Sequence, residues 1–147
     1  MSVLKLVFFS VVILGVIGMI GFFALGLSSQ NGSAPGLTDG RLASCPSSPN
    51  CVSSEEGTAA DKNVEPFPLE SWSGLPDAVA SIGGTVKATE EAYLAAEFKS
   101  ATFGFVDDVE FRKADDAVQV RSASRVGYSD AGANAARVAK LREALNE

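Results

Sequence analysis

The sequence predicts an α+β domain, a small antiparallel sheet of about four strands with two helices packed on one face, preceded by one N-terminal transmembrane helix. Three observations lead to this fold class. An uncharged apolar run lies near the amino terminus, four segments within residues 85–125 alternate like strands, and one short amphipathic segment lies on each side of them. With the order helix, four strands, helix, both helices can cover the same face of an antiparallel sheet.

The apolar run covers residues 6–27, in which Ser10 is the only conventionally polar side chain and no residue is charged. At about 1.5 Å per residue these 22 residues form a helix of about 33 Å, enough to cross a hydrocarbon core of about 30 Å. A cleaved secretory signal has an apolar region of about 7 to 15 residues, so the length favours a retained signal anchor. Ala24 and Gly26 have the small-residue spacing of a cleavage site, and cleavage stays the alternative.

The charges around this helix predict its orientation. Lys5 and the amino terminus precede the helix, whereas the next basic residue is Arg41. Because positive charge tends to remain on the cytoplasmic side, we expect a single-pass protein of the cell (inner) membrane that contacts lipid through residues 4–27. Its C-terminal domain is then extracytoplasmic, that is, periplasmic.

Composition divides the chain into three parts. Residues 1–27 are the transmembrane anchor, and residues 28–40 are a flexible tether rich in Ser, Gly, Asn and Pro. Residues 41–147 form the α+β domain, which is long enough to bury one compact core.

The only two cysteines, Cys45 and Cys51, are separated by five residues, two of which are prolines. In an oxidising compartment such a close pair most simply forms a structural disulfide. Free or regulatory thiols and a metal site are the alternatives. Because the chain contains no histidine, only carboxylates could complete a zinc site, so no metal is expected. No cofactor is expected either.

A short helix and two strands follow the cysteine segment. Leu75, Val79 and Ile82 have helical spacing, with a proline and an aspartate at the front and two glycines behind. Residues 85–88 and 93–99 then have the alternating pattern of strands.

A β-hairpin is predicted next, because two alternating runs flank a short polar connection. If residues 115–116 form the turn, Phe111 pairs with Val120 on the buried face. The same register pairs Glu110 with Arg121 on the opposite face, which is expected to be exposed.

The chain ends in a helix that begins near Asn134. Val138, Leu141 and Leu145 form its apolar stripe, and Asp130 or Asn134 can cap its start.

Three motifs in the same order, CPSSPNCVSS, FGFVDDVEF and RSASRVGYSDAGAN, resemble the DUF1499 family, a domain of unknown function found in bacterial membrane-associated proteins. The resemblance runs from about Leu42 to the end of the chain. It implies an extracytoplasmic or membrane-attached domain whose activity is unassigned. Ala135 and Ala136 stand where basic residues are expected in many relatives, so the resemblance gives less support to an anion site at that helix start.

The polar residues of the hairpin have two interpretations. They form either a solvated ladder of cross-strand pairs or a site for a phosphate or carboxylate, because arginines, hydroxyls and a helix start can hold an anion. Gly127 and Gly132 would let the backbone approach the ligand. The candidate binding residues, which would converge at one end of the hairpin, are Asp107, Asp108, Glu110, Arg121, Ser122, Ser124, Arg125, Tyr128, Asp130 and Asn134.

Composition also narrows the class of function. Without histidine there is no Ser/His or Cys/His nucleophile pair, and Asp107 and Asp108 point to opposite faces of a strand, so they cannot act as a dyad. Beyond the anchor, 11 basic and 18 acidic residues disfavour nucleic acid as a partner. No catalytic residue is therefore predicted.

The expected function is a membrane-anchored extracytoplasmic binding or accessory domain with an anion-type site near the hairpin. A small anionic ligand or an envelope protein would be its partner. The alternatives are a histidine-independent hydrolase-like enzyme and a structural envelope protein.

Overall fold

The structure, a computed structural model, describes residues 2–146. Its three α-helices are α1 (Val3–Ser29), α2 (Leu75–Ser81) and α3 (Ala133–Ala144), and a 3-10 helix (Leu69–Gly74) leads into α2. The strands are β1 (Leu37–Thr38), β2 (Arg41–Leu42), β3 (Cys51–Ser53), β4 (Phe67–Pro68), β5 (Thr85–Thr89), β6 (Tyr93–Lys99), β7 (Val106–Lys113) and β8 (Ala117–Ser124).

The main sheet has six strands rather than the expected four. Its order is β3-β8-β7-β6-β5, β4 also pairs with β8, and every pairing is antiparallel. The two additional strands, β3 and β4, contain three and two residues. Strands this short carry no alternating pattern, because alternation needs about four residues to be recognised.

The predicted hairpin register is confirmed. Glu110 lies opposite Arg121 and Phe111 lies opposite Val120, and the amide of Ala114 donates to the carbonyl of Ala117 at 2.8 Å to close the turn. The pairing forms because both face patterns agree in this register and in no register shifted by one residue.

Both C-terminal helices pack on one face of the sheet, as expected. Leu75 and Val79 of α2 and Leu141 of α3 are fully buried against Val109 and Phe111 of β7. We call this side of the sheet the helix face.

The opposite face is not exposed, and the expectation of a solvated ladder is wrong. Glu110 is fully buried, and Asp108 and Arg121 are 3% and 7% exposed. The segment predicted as a tether, residues 28–40, lies across these side chains together with β2, so we call this side the tether face. The tether has few apolar residues and is held instead by hydrogen bonds to the charged side chains beneath it.

The predicted disulfide is present. Cys45 and Cys51 are bonded, with their Cα atoms 5.6 Å apart. Cys51 begins β3 and lies opposite Ala123 of β8, so the disulfide fixes the preceding loop to the edge of the sheet.

The helix α1 is long and apolar enough to cross a membrane. Its last turns contact the loop between β6 and β7, where the rings of Phe22 and Phe23 lie 5.3 and 5.1 Å from the ring of Phe103. A Cβ atom on Gly26 would lie 1.8 Å from the carbonyl oxygen of Phe103. The hydroxyl of Ser29 accepts the amide of Val106 at 2.9 Å, so the end of α1 is packed directly on the domain.

We predict that Gly26→Ala destabilises the full chain, because the added methyl group has no room beside Phe103. Overpacking of this kind costs about 1–3 kcal/mol, which would lower the midpoint of thermal unfolding in detergent. Gly21→Ala is the matched control, since a Cβ there meets nothing within 4 Å. Both variants gain the same helix propensity, about 1 kcal/mol, so equal midpoints would contradict the close contact.

Candidate functional site

The ten candidate binding residues do not form one cluster, because β7 and β8 alternate between the two faces. On the tether face lie Asp108, Glu110, Arg121 and Arg125. On the helix face lie Asp107, Ser122, Ser124, Asp130 and Asn134. Tyr128 belongs to neither cluster and is 76% exposed.

Arg125 organises the tether face near the end of α1. Its Nε and Nη2 donate to both carboxylate oxygens of Asp108 at 2.8 and 2.6 Å. Nη2 also donates to Glu97 at 2.6 Å, and Nη1 donates to the carbonyl of Ser29 at 3.0 Å. The hydrogen bonds with Asp108 raise the pKa of Arg125 despite the opposing effect of burial, so this arginine stays charged and joins three strands to α1.

The carboxylate of Glu97 forms ion pairs with two cations, Arg125 and Lys87. Burial alone would raise its pKa, but hydrogen bonds from Arg125 and then Lys87 outweigh burial and lower it. Its carboxylate is therefore ionised at neutral pH and serves as a partner for two cations.

Glu110 is the fully buried acid of the tether face. Its Oε1 accepts the hydroxyl of Tyr93 at 2.8 Å and the amide of Gly36 at 2.9 Å, and its Oε2 accepts Nη1 of Arg121 at 3.0 Å. Burial and then the bond to Glu110 raise the pKa of Tyr93, so the phenol remains a protonated donor. The carboxylate of Glu110 accepts these three hydrogen bonds, and the one from Gly36 attaches the tether to β7.

Arg121 is different from Arg125, because its donors are mostly unused. It makes one side-chain hydrogen bond, to Glu110. Among the side-chain nitrogen and oxygen atoms that the structure describes, its Nε is the one buried atom without a hydrogen-bond partner. An unpaired buried donor costs about 1–3 kcal/mol, which a polar partner entering from outside would recover.

A cavity of about 350 Å³ lies beside Arg121, between the C-terminal end of β8 and the tether. Ser29 at the end of α1 and Gly32 and Ser33 of the tether form one wall, and the other includes Arg121, Arg125 and Asp108. Two of the candidate binding residues that carry positive charge, Arg121 and Arg125, thus border an accessible volume.

On the helix face the central residue is Asn134, whose side chain is fully buried. Its Nδ2 donates to the carbonyl of Asn50 at 3.0 Å and to Ser124 at 3.1 Å, and its Oδ1 accepts the hydroxyl of Ser122 at 2.6 Å and Nη1 of Arg137 at 2.6 Å. Asn134 therefore joins α3 to β8 and to the loop before β3, and it does not cap the helix.

Asp130 holds the start of α3, as one of the two predicted caps. Its carboxylate accepts the amides of Gly132 and Asn134 at 3.0 and 2.8 Å, although Gly132 occupies the position immediately before the helix. Burial would raise the pKa of Asp130, but the two amide donors lower it.

Sequence reasoning missed Arg137, which was not among the candidate binding residues. Arg137 donates to Asp107 at 2.6 Å and lies 4.8 Å from the centre of the Phe98 ring. The signal was available, because Arg137 follows Asn134 by three residues and so lies on the same side of α3.

Sequence reasoning also missed Glu55, a buried acid at the edge of the tether face. Glu55 accepts Nε and Nη2 of Arg112 at 2.7 and 3.0 Å and the amide of Leu42 at 3.1 Å. Burial would raise the pKa of Glu55, but the bonds from Arg112 and Leu42 outweigh burial and lower it. No feature of the sequence distinguishes Glu55 from its neighbour Glu56, whose side chain is exposed.

A family model described as "Protein of unknown function (DUF1499)" matches residues 41–145. The chain belongs to this family. The match begins at β2 and ends at the end of α3, so it covers the sheet and the helix-face cluster but leaves out α1 and the tether. Comparison with the curated proteins and with the solved structures gave no match.

Within this DUF1499 domain we predict that Glu55→Gln lowers the free energy of unfolding at pH 7 by about 3 kcal/mol, since it removes the carboxylate from a mostly buried arginine. Urea unfolding of the full chain in detergent measures this loss. Glu56→Gln, one residue away and exposed, should change the stability little.

Glu55→Gln and its control Glu56→Gln also test how the free energy of unfolding depends on pH. The pKa of Glu55 is lower in the folded protein than its ordinary value of 4.5. The contribution of the ionised Glu55 carboxylate to the free energy of unfolding is therefore complete above pH 4.5 and is lost as the pH falls through the lowered pKa. The stability gap between wild type and Glu55→Gln should therefore narrow in acid. A gap that is constant from pH 7 to pH 3 would contradict the lowered pKa.

We also predict that Asn134→Ala costs about 2–4 kcal/mol, because it leaves buried partners on β8 and in the loop before β3 unpaired. Asn31→Ala, at an exposed position, is the control. Thermal unfolding compares the two variants, and equal midpoints would show that the buried network does not stabilise the domain.

Proposed function

We propose that the chain is a single-pass protein of the inner membrane whose DUF1499 domain lies on the periplasmic side and binds a small anion. The ligand would occupy the cavity between β8 and the tether. The observation that carries this proposal is that Arg121, which borders this cavity, has a buried Nε without a hydrogen-bond partner.

The periplasmic location is supported by two independent features. Lys5 lies before α1, and the next basic residue is Arg41, which favours a cytoplasmic amino terminus and a signal anchor. The disulfide between Cys45 and Cys51 suits an oxidising compartment.

The chemistry of Arg121 favours an oxyanion as the ligand. A guanidinium presents donors in a planar fork that matches a carboxylate or a phosphate. Its ion-pair partner Glu110 accepts a hydrogen bond from only one guanidinium nitrogen, Nη1. The other donors of Arg121 are available to a ligand.

The size of the cavity favours a small ligand. At about 350 Å³ it lies near the lower end of the usual range for small-molecule sites, about 300–1,000 Å³. A phosphate, a small carboxylic acid or the headgroup of an anionic lipid fits this volume, whereas a polymer segment would have to leave most of its length outside.

Arg125, in contrast, has a structural role. Its Nε, Nη1 and Nη2 all donate to groups of the protein. Replacing Arg125 would remove ion pairs to Asp108 and Glu97, so a loss of binding in such a variant would report loss of fold.

A binding role is also favoured over the hydrolase-like alternative. Asp108 and Glu110 are each held by an arginine, and Glu110 is fully buried. A general acid or base must reach a substrate proton, and carboxylates engaged in this way are positioned to maintain the sheet and the tether.

The test is a thermal-shift measurement on the full chain in detergent, with phosphate and acetate added at constant ionic strength set by chloride. We expect phosphate to raise the unfolding midpoint, by an amount equivalent to about 2.7 kcal/mol at one hundred times its dissociation constant. Arg121→Lys should lose the shift, because lysine keeps the charge but not the planar donors.

The control is Lys113→Met, which changes one charge at the far end of the hairpin and should keep the shift. A shift of equal size in Arg121→Lys would place the anion elsewhere. No shift from a well-folded wild type would favour the structural envelope protein or a protein partner.

A further inference from the structure

The loop between β6 and β7, residues 100–105, carries two aromatic side chains beside the apolar helix. The ring of Phe103 lies 5.3 Å from that of Phe22, and the ring of Phe105 lies 6.3 Å from the same phenylalanine. Phe103 and Phe105 also contact each other, with ring centroids 6.1 Å apart. The loop thus continues the apolar surface of α1 onto the domain.

The depth of these rings follows from their partners on α1. Phe22 and Phe23 lie within the apolar run, four or five residues before its last member, Leu27. At 1.5 Å per residue they are about 7 Å inside the end of the run. If α1 spans the bilayer, Phe103 lies at the depth of the outer acyl chains and not in the water above them.

Polar groups lie on the domain side of the aromatic pair. The ammonium of Lys99 donates to Gln30 at 2.9 Å, and Gln30 donates to the carbonyl of Gly104 at 3.1 Å. Lys99 and Lys140, both exposed, border a cavity of about 490 Å³ with the apolar Ile82 and Phe98. Apolar rings below and cations above match the two layers of a bilayer interface, acyl chains and headgroup phosphates.

We propose that residues 100–105 insert into the interfacial layer of the bilayer and hold the domain on the membrane in one orientation. This proposal rests on the membrane anchor proposed above. The partner is the lipid bilayer itself, with Phe103 and Phe105 among the acyl chains and Lys99 at the headgroups. The domain is then seated on the membrane and does not stand off from it on a flexible tether.

The orientation has a consequence for the rest of the domain. The strands β6, β7 and β8 all have one end at this loop, so the turn at residues 114–116 is about 26 Å from it along β7. The cavity beside Arg121 is at the membrane end, because Arg125 on its wall bonds the last residue of α1.

The test uses tryptophan fluorescence of the full chain in phosphatidylcholine vesicles that contain lipids brominated at shallow or deep acyl positions. In a Trp72→Phe background, single tryptophans report three places: Phe103→Trp in the loop, Asp115→Trp at the distant turn and Leu14→Trp in the middle of α1. We expect shallow bromines to quench Phe103→Trp, deep bromines to quench Leu14→Trp, and neither to quench Asp115→Trp.

The outcomes separate the two proposals. Quenching of Leu14→Trp without quenching of Phe103→Trp would overturn the seated loop and leave the anchor standing. An unquenched Leu14→Trp would overturn the anchor and the seated loop together. Equal quenching of Asp115→Trp and Phe103→Trp would overturn the single orientation.

A second measurement keeps Trp72 and the wild-type sequence. Vesicles containing a lipid with a photoreactive acyl chain should give adducts in α1 and in residues 100–105, and none at residues 114–116. Adducts confined to α1 would overturn the seated loop, and adducts at residues 114–116 as abundant as those at residues 100–105 would overturn the single orientation.

Discussion

The guanidinium of Arg125 is the interaction on which the arrangement of this chain depends. It bonds Asp108 on β7, Glu97 on β6 and the last carbonyl of α1 from its own position just after β8. Ion pairs this deeply buried offset the cost of desolvation only when each charge has several well-placed partners. Here one cation satisfies two acids and a helix end together, so the sheet, the tether and the end of α1 are stabilised as one unit.

The two faces of the sheet are covered by different chemistry. The helix face is closed by apolar packing around Phe111 and Leu141, with Asn134 fixing α3 in register. The tether face is closed by carboxylates that accept backbone amides, as Glu110 does from Gly36 and Glu55 does from Leu42. A segment rich in Ser and Gly can cover a sheet in this way, since its amides are numerous and unobstructed by large side chains.

This difference explains what the sequence could predict. Alternation and helical spacing identified four strands, the hairpin register and both C-terminal helices, since each repeats over four or more residues. The strands β3 and β4 are too short to repeat, and burial of Glu110 has no local signal, because its cover is a tether 74 residues away in the chain. The candidate site residues were expected to converge at one end of the hairpin, but alternation splits them between the two faces of the sheet.

The boundary of the family match has a physical implication for this chain. The matched region starts at residue 41 and so omits Gly36 and Ser29. Without them Glu110 loses an amide donor and Arg125 loses the carbonyl at the end of α1, while the side chains beneath the tether become exposed to water. The wall of the cavity beside Arg121 that Ser29, Gly32 and Ser33 provide would also be missing. In this protein the end of α1 and the tether therefore complete the tether face and its cavity, and a fragment limited to the matched residues would lack one wall of that cavity.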